Sequence, residues 1–169
     1  MEYNEEVCAL VSVTIICIGK LKEKFWRDAA DEYTKRLSRY CDLKIKELSE
    51  SLLPENPSQT EIDTALSKES EAILKEIPKD AAVFPLCIEG KGLSSPEFAE
   101  KIENVSLSGK SKICFIIGSS HGLSEAVKSR ADFKLSFSKM TFPHQLFRVL
   151  LLEQIYRAFS IIGGGKYHK

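Results

Sequence analysis

Apolar and polar positions alternate along this chain with two different periods. Val11 to Ile18 is a nearly unbroken β-branched run closed by Gly19, the pattern of a strand covered on both faces. Phe25, Trp26, Ala29, Ala30, Tyr33 and Leu37 then fall at helical spacing with charges between them, which predicts an amphipathic helix. Leu43 to Leu48 alternates as a short strand. Residues 50–60 hold Pro54, Asn56 and Pro57 among serine and threonine and read as a loop. Ile62, Leu66, Ile73 and Ile77 mark a second helix. Ala81 to Ile88 predicts a third strand, ended by a Glu89-Gly-Lys-Gly turn. Ser94-Ser-Pro-Glu97 is a helix start, with a serine cap and Pro96 in the first turn, where its missing N–H costs nothing. Lys112 to Ile117 predicts a fourth strand ending at Gly118, followed by a short helix from Leu123 to about Arg130 and a strand around Phe133 to Phe137. The last helix runs from Pro143 to Ile162, and Gly163-Gly164-Gly165 stops it.

Helices alternating with mostly continuous apolar strands predict an α/β fold, a doubly wound and mostly parallel sheet. With 169 residues against roughly 150 per domain, one domain over residues 11–169 is expected, preceded by an extension, residues 1–10. A hydrophobic fraction of 43% supplies one sizeable core.

The formal net charge is zero, but it is unevenly spread. Residues 128–169 carry eight basic and two acidic side chains, a balance of +6 that the rest of the chain offsets. A polyanion, if one is bound, would meet that C-terminal quarter; a solvated charge pattern with no partner is the alternative. Five cysteines form no C-x-x-C pair; Cys17, Cys87 and Cys114 lie in apolar runs and are expected to be buried in a reducing compartment. Histidines 121, 144 and 168 stand at no ligand spacing to each other or to a cysteine, so no metal site is expected. The opening MEYNEEV is acidic where a signal peptide is basic. The apolar stretch Leu146 to Ile162 contains Arg148, Glu153 and Arg157, too much charge for a membrane span. A cytoplasmic protein without a membrane partner is expected.

Gly118-Ser119-Ser120-His121-Gly122 follows a predicted strand and precedes a short helix. The string satisfies the G-x-S-x-G pattern of a nucleophile elbow. Ser120 would then be the nucleophile of a small serine hydrolase, with Asp132 and His144 or His168 following in the required order, although such hydrolases carry more strands before the elbow. The same string is also a glycine turn that lets a ligand approach the backbone at a strand end, or simply a turn. All three readings remain open at this level.

Several further segments resemble one family together. They are Val13 to Lys24 (Val-Thr-Ile-Ile-Cys-Ile-Gly-Lys-Leu-Lys-Glu-Lys), Phe115 to Leu123, Leu135 to Gln145 (Leu-Ser-Phe-Ser-Lys-Met-Thr-Phe-Pro-His-Gln), Glu153 to Ala158, and the terminal Tyr167-His-Lys169. From residue 11 onward the chain resembles the ribosomal RNA large subunit methyltransferase H family, pseudouridine-N3 methyltransferases of the SPOUT superfamily. Two departures stand out: the first ten residues exceed the usual start, and Ser119 occupies a place where the family usually has a second glycine. The resemblance implies a deep C-terminal trefoil knot, an obligate homodimer, S-adenosylmethionine as cofactor, and a pseudouridine of ribosomal RNA in the assembled ribosome as substrate. It places cofactor contacts at Leu86, Gly118 and the segment Phe137, Ser138, Lys139, Met140, Thr141 and Phe142. A non-catalytic RNA-binding dimer of the same fold is the alternative within that resemblance.

N3 of a uracil ring is an imide N–H and becomes nucleophilic only after losing its proton. His168 is the expected base, since a neutral imidazole suits that transfer near pH 7. Arg148 and Arg157 are expected at substrate carbonyls or phosphates; nine residues apart on a helix, or about 900° of rotation, they lie on opposite sides of the axis. Tyr167 is a candidate to contact the base, and His144 sits either with the substrate or in the helix cap. Tyr156 is expected in the core and His121 on the surface. The triple glycine is expected to act as a hinge for the tail, residues 166–169.

Overall fold

The computed structural model describes residues 11–164. The β-branched run forms β1 (Ser12–Ile18), flanked on one side by β2 (Asp42–Leu48) and on the other by β4 (Lys112–Ile117), both parallel to it. β3 (Ala82–Gly92) pairs parallel with β4, and β5 (Leu135–Ser136) pairs parallel with β3. The sheet order is therefore β2-β1-β4-β3-β5. The helices between the strands are α1 (Lys24–Leu37), α2 (Gln59–Glu76), α3 (Ser95–Leu107) and α4 (Glu125–Lys128), and α5 (His144–Ile162) follows β5.

Strand side chains point alternately to the two faces, and both faces are covered. Val13, Ile15, Cys17, Phe84 and Phe115 pack with Leu37 of α1, Phe98 and Ile102 of α3, and Leu152, Ile155 and Phe159 of α5. Ile16, Ile18, Val83, Cys114 and Ile116 pack on the other side with Ile73 of α2 and Val127 of α4. This is the doubly wound arrangement that the continuous apolar runs predict. β2, at one edge, alternates exposed and half-buried residues. Its Lys44 and Asp42 pair at the surface, and charged residues of this kind blunt an open strand edge.

Two elements differ from the sequence reading. The expected turn at Glu89-Gly-Lys-Gly is a continuation of β3, in which Leu86 and Lys91 both stand opposite Leu135, so the residues between them bulge. The Lys91 N–H donates to the Lys134 carbonyl at 2.9 Å. A Cβ on Gly90 would come within 2.7 Å of the Leu135 carbonyl carbon, so this glycine permits a close backbone approach rather than a chain reversal. The strand expected over Phe133 to Phe137 shrinks to the two residues of β5. The N–H groups of Asp132 and Phe133 both reach the Val83 carbonyl, which turns the chain across β3 before it can run alongside.

The helix starts follow their local chemistry. Ser94 caps α3 in a box with Glu97, with Pro96 in the first turn. Ser58 and Glu61 form the same box at α2, a Ser-x-x-Glu signal that places the start three residues ahead of the first apolar position. The extension, residues 1–10, and the tail, residues 166–169, lie outside the described residues.

Candidate functional site

In a parallel sheet, ligands bind beyond the carboxyl ends of the strands. Here β3, β4 and β5 end around a cavity of about 710 Å³, within the ~300–1,000 Å³ range of small-molecule sites. Leu86, Ile117, Leu123 and Leu135 give it apolar lining. The loop Gly118–Gly122 forms one wall, and the segment from Ser136 to His144 with Phe147 forms another.

The glycine loop closes on itself. The Gly122 N–H donates to the Ser119 carbonyl at 2.9 Å, and Gly122 adopts a φ of +82°, where glycine is favoured. A Cβ on Gly118 would overlap the Gly122 carbonyl and reach Leu123 Cδ2 at 3.0 Å. Gly118 thus permits the closure of the loop, and it also stands in the cavity wall where the sequence reading places a ligand. Ser119 points out of the loop: its hydroxyl donates to Glu69 Oε2 at 2.8 Å. Glu69 is only 5% exposed, and its other oxygen accepts from the Ser51 N–H at 2.9 Å. The loop is thus tied to α2, and beyond it lies a second cavity of about 290 Å³ that shares Ser119, Ser120 and His121.

The nucleophile-elbow reading fails here. Ser120 Oγ lies 3.2 Å from Nδ1 of His121, its exposed neighbour in sequence. Asp132, the acid that reading required, is committed to Lys110 Nζ at 2.6 Å and to the Val83 N–H at 2.9 Å. No acid–histidine–serine relay is assembled among the described residues.

Opposite the loop, Phe137 packs on Phe147 with centroids 4.9 Å apart, and Phe142 stacks on Phe147 at 6.1 Å. Ser138 Oγ accepts from the Met140 N–H at 2.9 Å and keeps its own hydrogen to donate. Met140 is 71% exposed, so it is not the core residue that its chemistry alone suggests. Leu86, Gly118, Phe137, Ser138, Met140, Thr141, Phe142 and His144 all line this cavity, whereas Lys139 is not part of its lining.

Sequence reasoning missed Lys128 and Glu89, which form an ion pair at the cavity wall. Hydrogen bonding to Lys128 holds the Glu89 carboxyl below the usual carboxylate range. They stand 39 positions apart, so no local signal marks the pair. Cys87 also lines the cavity and is half-buried rather than fully buried.

Arg148 does not lie at the cavity. It is 2% exposed; its guanidinium pairs with Glu47 and donates to the Gly19 carbonyl at 2.8 Å. The expected contact with a substrate carbonyl or phosphate is corrected to a tie between α5 and the ends of β1 and β2. Arg157 pairs with Glu153 one turn away at 2.6 Å; the two arginines hold different partners, as their spacing requires. His144 opens α5 with Nε2 buried and without a hydrogen-bond partner among the described residues. Tyr156 packs in the core against Tyr33 and Tyr40, and His121 is exposed. His168 and Tyr167 lie outside the described residues. Among those residues no group of side chains is arranged to hold a metal ion, and no helix is long and apolar enough to cross a membrane.

A family model described as "Predicted SPOUT methyltransferase" matches residues 11–168. The chain belongs to the SPOUT methyltransferase family. Curated relatives agree across the same length. A Clostridium botulinum (strain Okra / Type B1) protein named ribosomal RNA large subunit methyltransferase H is 54% identical over 159 residues, covering 94% of this chain and all of the relative. Its counterpart in strain Hall is 53% identical over the same span. A solved structure described as a probable methylase family protein from Haemophilus influenzae Rd KW20 shares the fold, with a TM-score of 0.52 and 17% identity over 95% of this chain and 71% of that one. In this SPOUT chain the glycine loop and the segment before α5 are two walls of the cavity.

Proposed function

We propose that this SPOUT methyltransferase transfers a methyl group from S-adenosylmethionine to N3 of a pseudouridine in large-subunit ribosomal RNA, acting on the assembled ribosome. The observation that carries the reading is the cavity at the strand ends, lined by residues of all three segments in which the resemblance places the cofactor. Its size and mixed lining suit a nucleoside with a short charged chain. S-adenosylmethionine supplies a methyl group on a positively charged sulfur. Leu86 gives an apolar wall for the adenine, the Gly118–Gly122 backbone bounds the opposite side, and Ser138 and Thr141 offer hydroxyls.

The chain's own groups must align the base and take the N3 proton. His168 takes that proton and Tyr167 contacts the base, with His144 at the cavity rim nearest α5. Arg157 serves RNA or a second subunit. Arg148 acts by position, holding the Gly19 carbonyl. The working form is a homodimer in the cytoplasm, knotted at its C-terminal end, without a metal.

Calorimetry with S-adenosylmethionine and methyl transfer to ribosomes lacking the modification test this reading. Micromolar cofactor binding and the gain of one methyl on the pseudouridine are expected. Absence of cofactor binding overturns it, and ribosome binding without transfer favours the non-catalytic dimer. A chain ending at Gly165 is expected to remain a folded dimer that binds cofactor and transfers nothing; normal turnover by that chain removes His168 as the base.

A further inference from the structure

The segment between β1 and α1, residues 19–23, contains no regular structure, yet its backbone is held from several sides. The Gly19 carbonyl accepts from Arg148 of α5. The Lys22 N–H donates to Gln145 Oε1 at 2.6 Å. Arg27 of α1 donates to the carbonyls of Leu21 and Lys22 at 3.1 and 2.5 Å. Leu21 is buried. Gly19 itself, at a φ of +86°, is so close to His144 that an added Cβ would stand 3.4 Å from Nε2. His144 and Pro143 belong to the cavity wall.

The segment is therefore pinned beside the cavity rim, with Leu21 in the core and its lysines exposed. Lys20, Lys22 and Lys24 are exposed. Lys24 shares its charge with Asp28 across 80% and 57% exposed side chains. Lys20 and Lys22 make no ion pair with any described residue. Phe25 follows directly, 59% exposed and set against Trp26 at 4.7 Å. Glu23 and the half-buried Glu50 are the nearest acids in sequence or space; with Lys24 offset by Asp28, Arg27 leaves the face a single net positive charge. Rigid backbone, free ammonium groups and an uncovered aromatic ring are the chemistry that holds a nucleic acid backbone and stacks an unpaired base.

We propose that Lys20, Lys22 and Phe25 form an RNA-docking edge that delivers the substrate strand to the cavity rim, with Arg148 as the positioning residue that fixes it through the Gly19 carbonyl. The proposal rests on the ribosomal RNA reading above and locates part of the RNA contact outside the basic C-terminal quarter.

The test uses the full-length protein. Lys20→Ala/Lys22→Ala is expected to bind S-adenosylmethionine like the parent. Its ribosome affinity should fall roughly tenfold, and the slope of log affinity against log salt should shrink by about 2. Phe25→Ala is expected to weaken ribosome binding by roughly fivefold or more without changing that slope, because stacking releases no counterions. Lys68→Ala/Lys75→Ala, on the exposed side of α2, serves as the control. An unchanged affinity and slope in the double lysine variant overturns the docking edge while leaving the enzymatic reading in place. A Phe25→Ala protein that changes its oligomeric state instead assigns the face to a second copy and also overturns the proposal. If the parent binds ribosomes with this salt dependence but transfers no methyl, the enzymatic reading fails and the docking edge stands.

Discussion

Gly118 and Ser119 are neighbours with opposite tasks. The first must lack a side chain so that the loop can fold onto the Gly122 carbonyl; the second uses its side chain to anchor that loop to Glu69. Gly118→Ala is expected to force the loop open, lowering stability by about 1–3 kcal/mol as an overpacked site does, with at least a tenfold loss of cofactor affinity by calorimetry. Ser119→Ala removes a hydrogen bond to a buried carboxylate, a loss of about 1.5–3 kcal/mol readable in urea denaturation. Ser120→Ala should leave methyl transfer nearly intact, since its hydroxyl meets only His121. At Asp132 burial opposes the charge, but Lys110, the Val83 N–H and Arg130 outweigh it and hold the carboxyl below the usual 3.8. A carboxyl that is more acidic folded than unfolded stabilises above about pH 4 and loses that effect as pH falls through 3.8 toward its folded value. The stability gap between the parent and Asp132→Asn should accordingly be full at neutral pH and close progressively in acid. Exposure separates Cys87 from its fellows: burial pushes Cys17 and Cys114 up to about 12 and raises the Cys87 thiol too, but Cys87 faces the cavity. In a Cys8→Ser background, Cys87 should be the residue that a maleimide labels, and S-adenosylmethionine should slow that labelling.

At the scale of elements, α5 links the core, the cavity and the β1 end. Arg148→Met would leave the Gly19 carbonyl without its donor and Glu47 without its cation. Glu47 is one-third exposed and can be rehydrated, so the expected cost is about 2–3 kcal/mol, measured as a shift in the denaturation midpoint. Gly90→Ala tests the other junction, because its methyl would strike the β5 backbone; loss of about 2 kcal/mol or more with a weakened cavity is expected. These elements also mark the limits of reading a sequence. Strands β1 and β4 were legible because burial on both faces writes a continuous apolar run. α3 was legible because Ser94 and Pro96 are chemically specific to a helix start. The β3 extension was not, since Gly90 and Gly92 spell a turn wherever no second strand presses against them. Arg148 reads as a catalytic cation until the fold brings Glu47 beside it from a hundred residues upstream. The cavity wall from Phe137 to Phe142 was reached through resemblance alone; its residues otherwise read as core.

Across the whole molecule, the net charge of zero conceals two surfaces, and the docking edge at Lys20 and Lys22 lies in the acidic part of the chain, where a count by segment would not look for it. The same sheet order has a bearing on synthesis. β1 is complete at Ile18, yet one of its two neighbours, β4, begins only at Lys112. Until then one edge of the central strand has no hydrogen-bond partner, and β3, although already made, has nothing to pair with. Closing so long a loop before any pairing compensates the lost entropy makes parallel sheets of this kind slow to form. A growing chain shorter than residue 112 is therefore a species with an open strand edge, the form most exposed to aggregation and proteases. The cavity walls come later still, between Gly118 and Phe147. A small ligand stabilises only a state able to bind it, so S-adenosylmethionine should protect the finished protein from proteolysis and give no protection to chains arrested before Lys112.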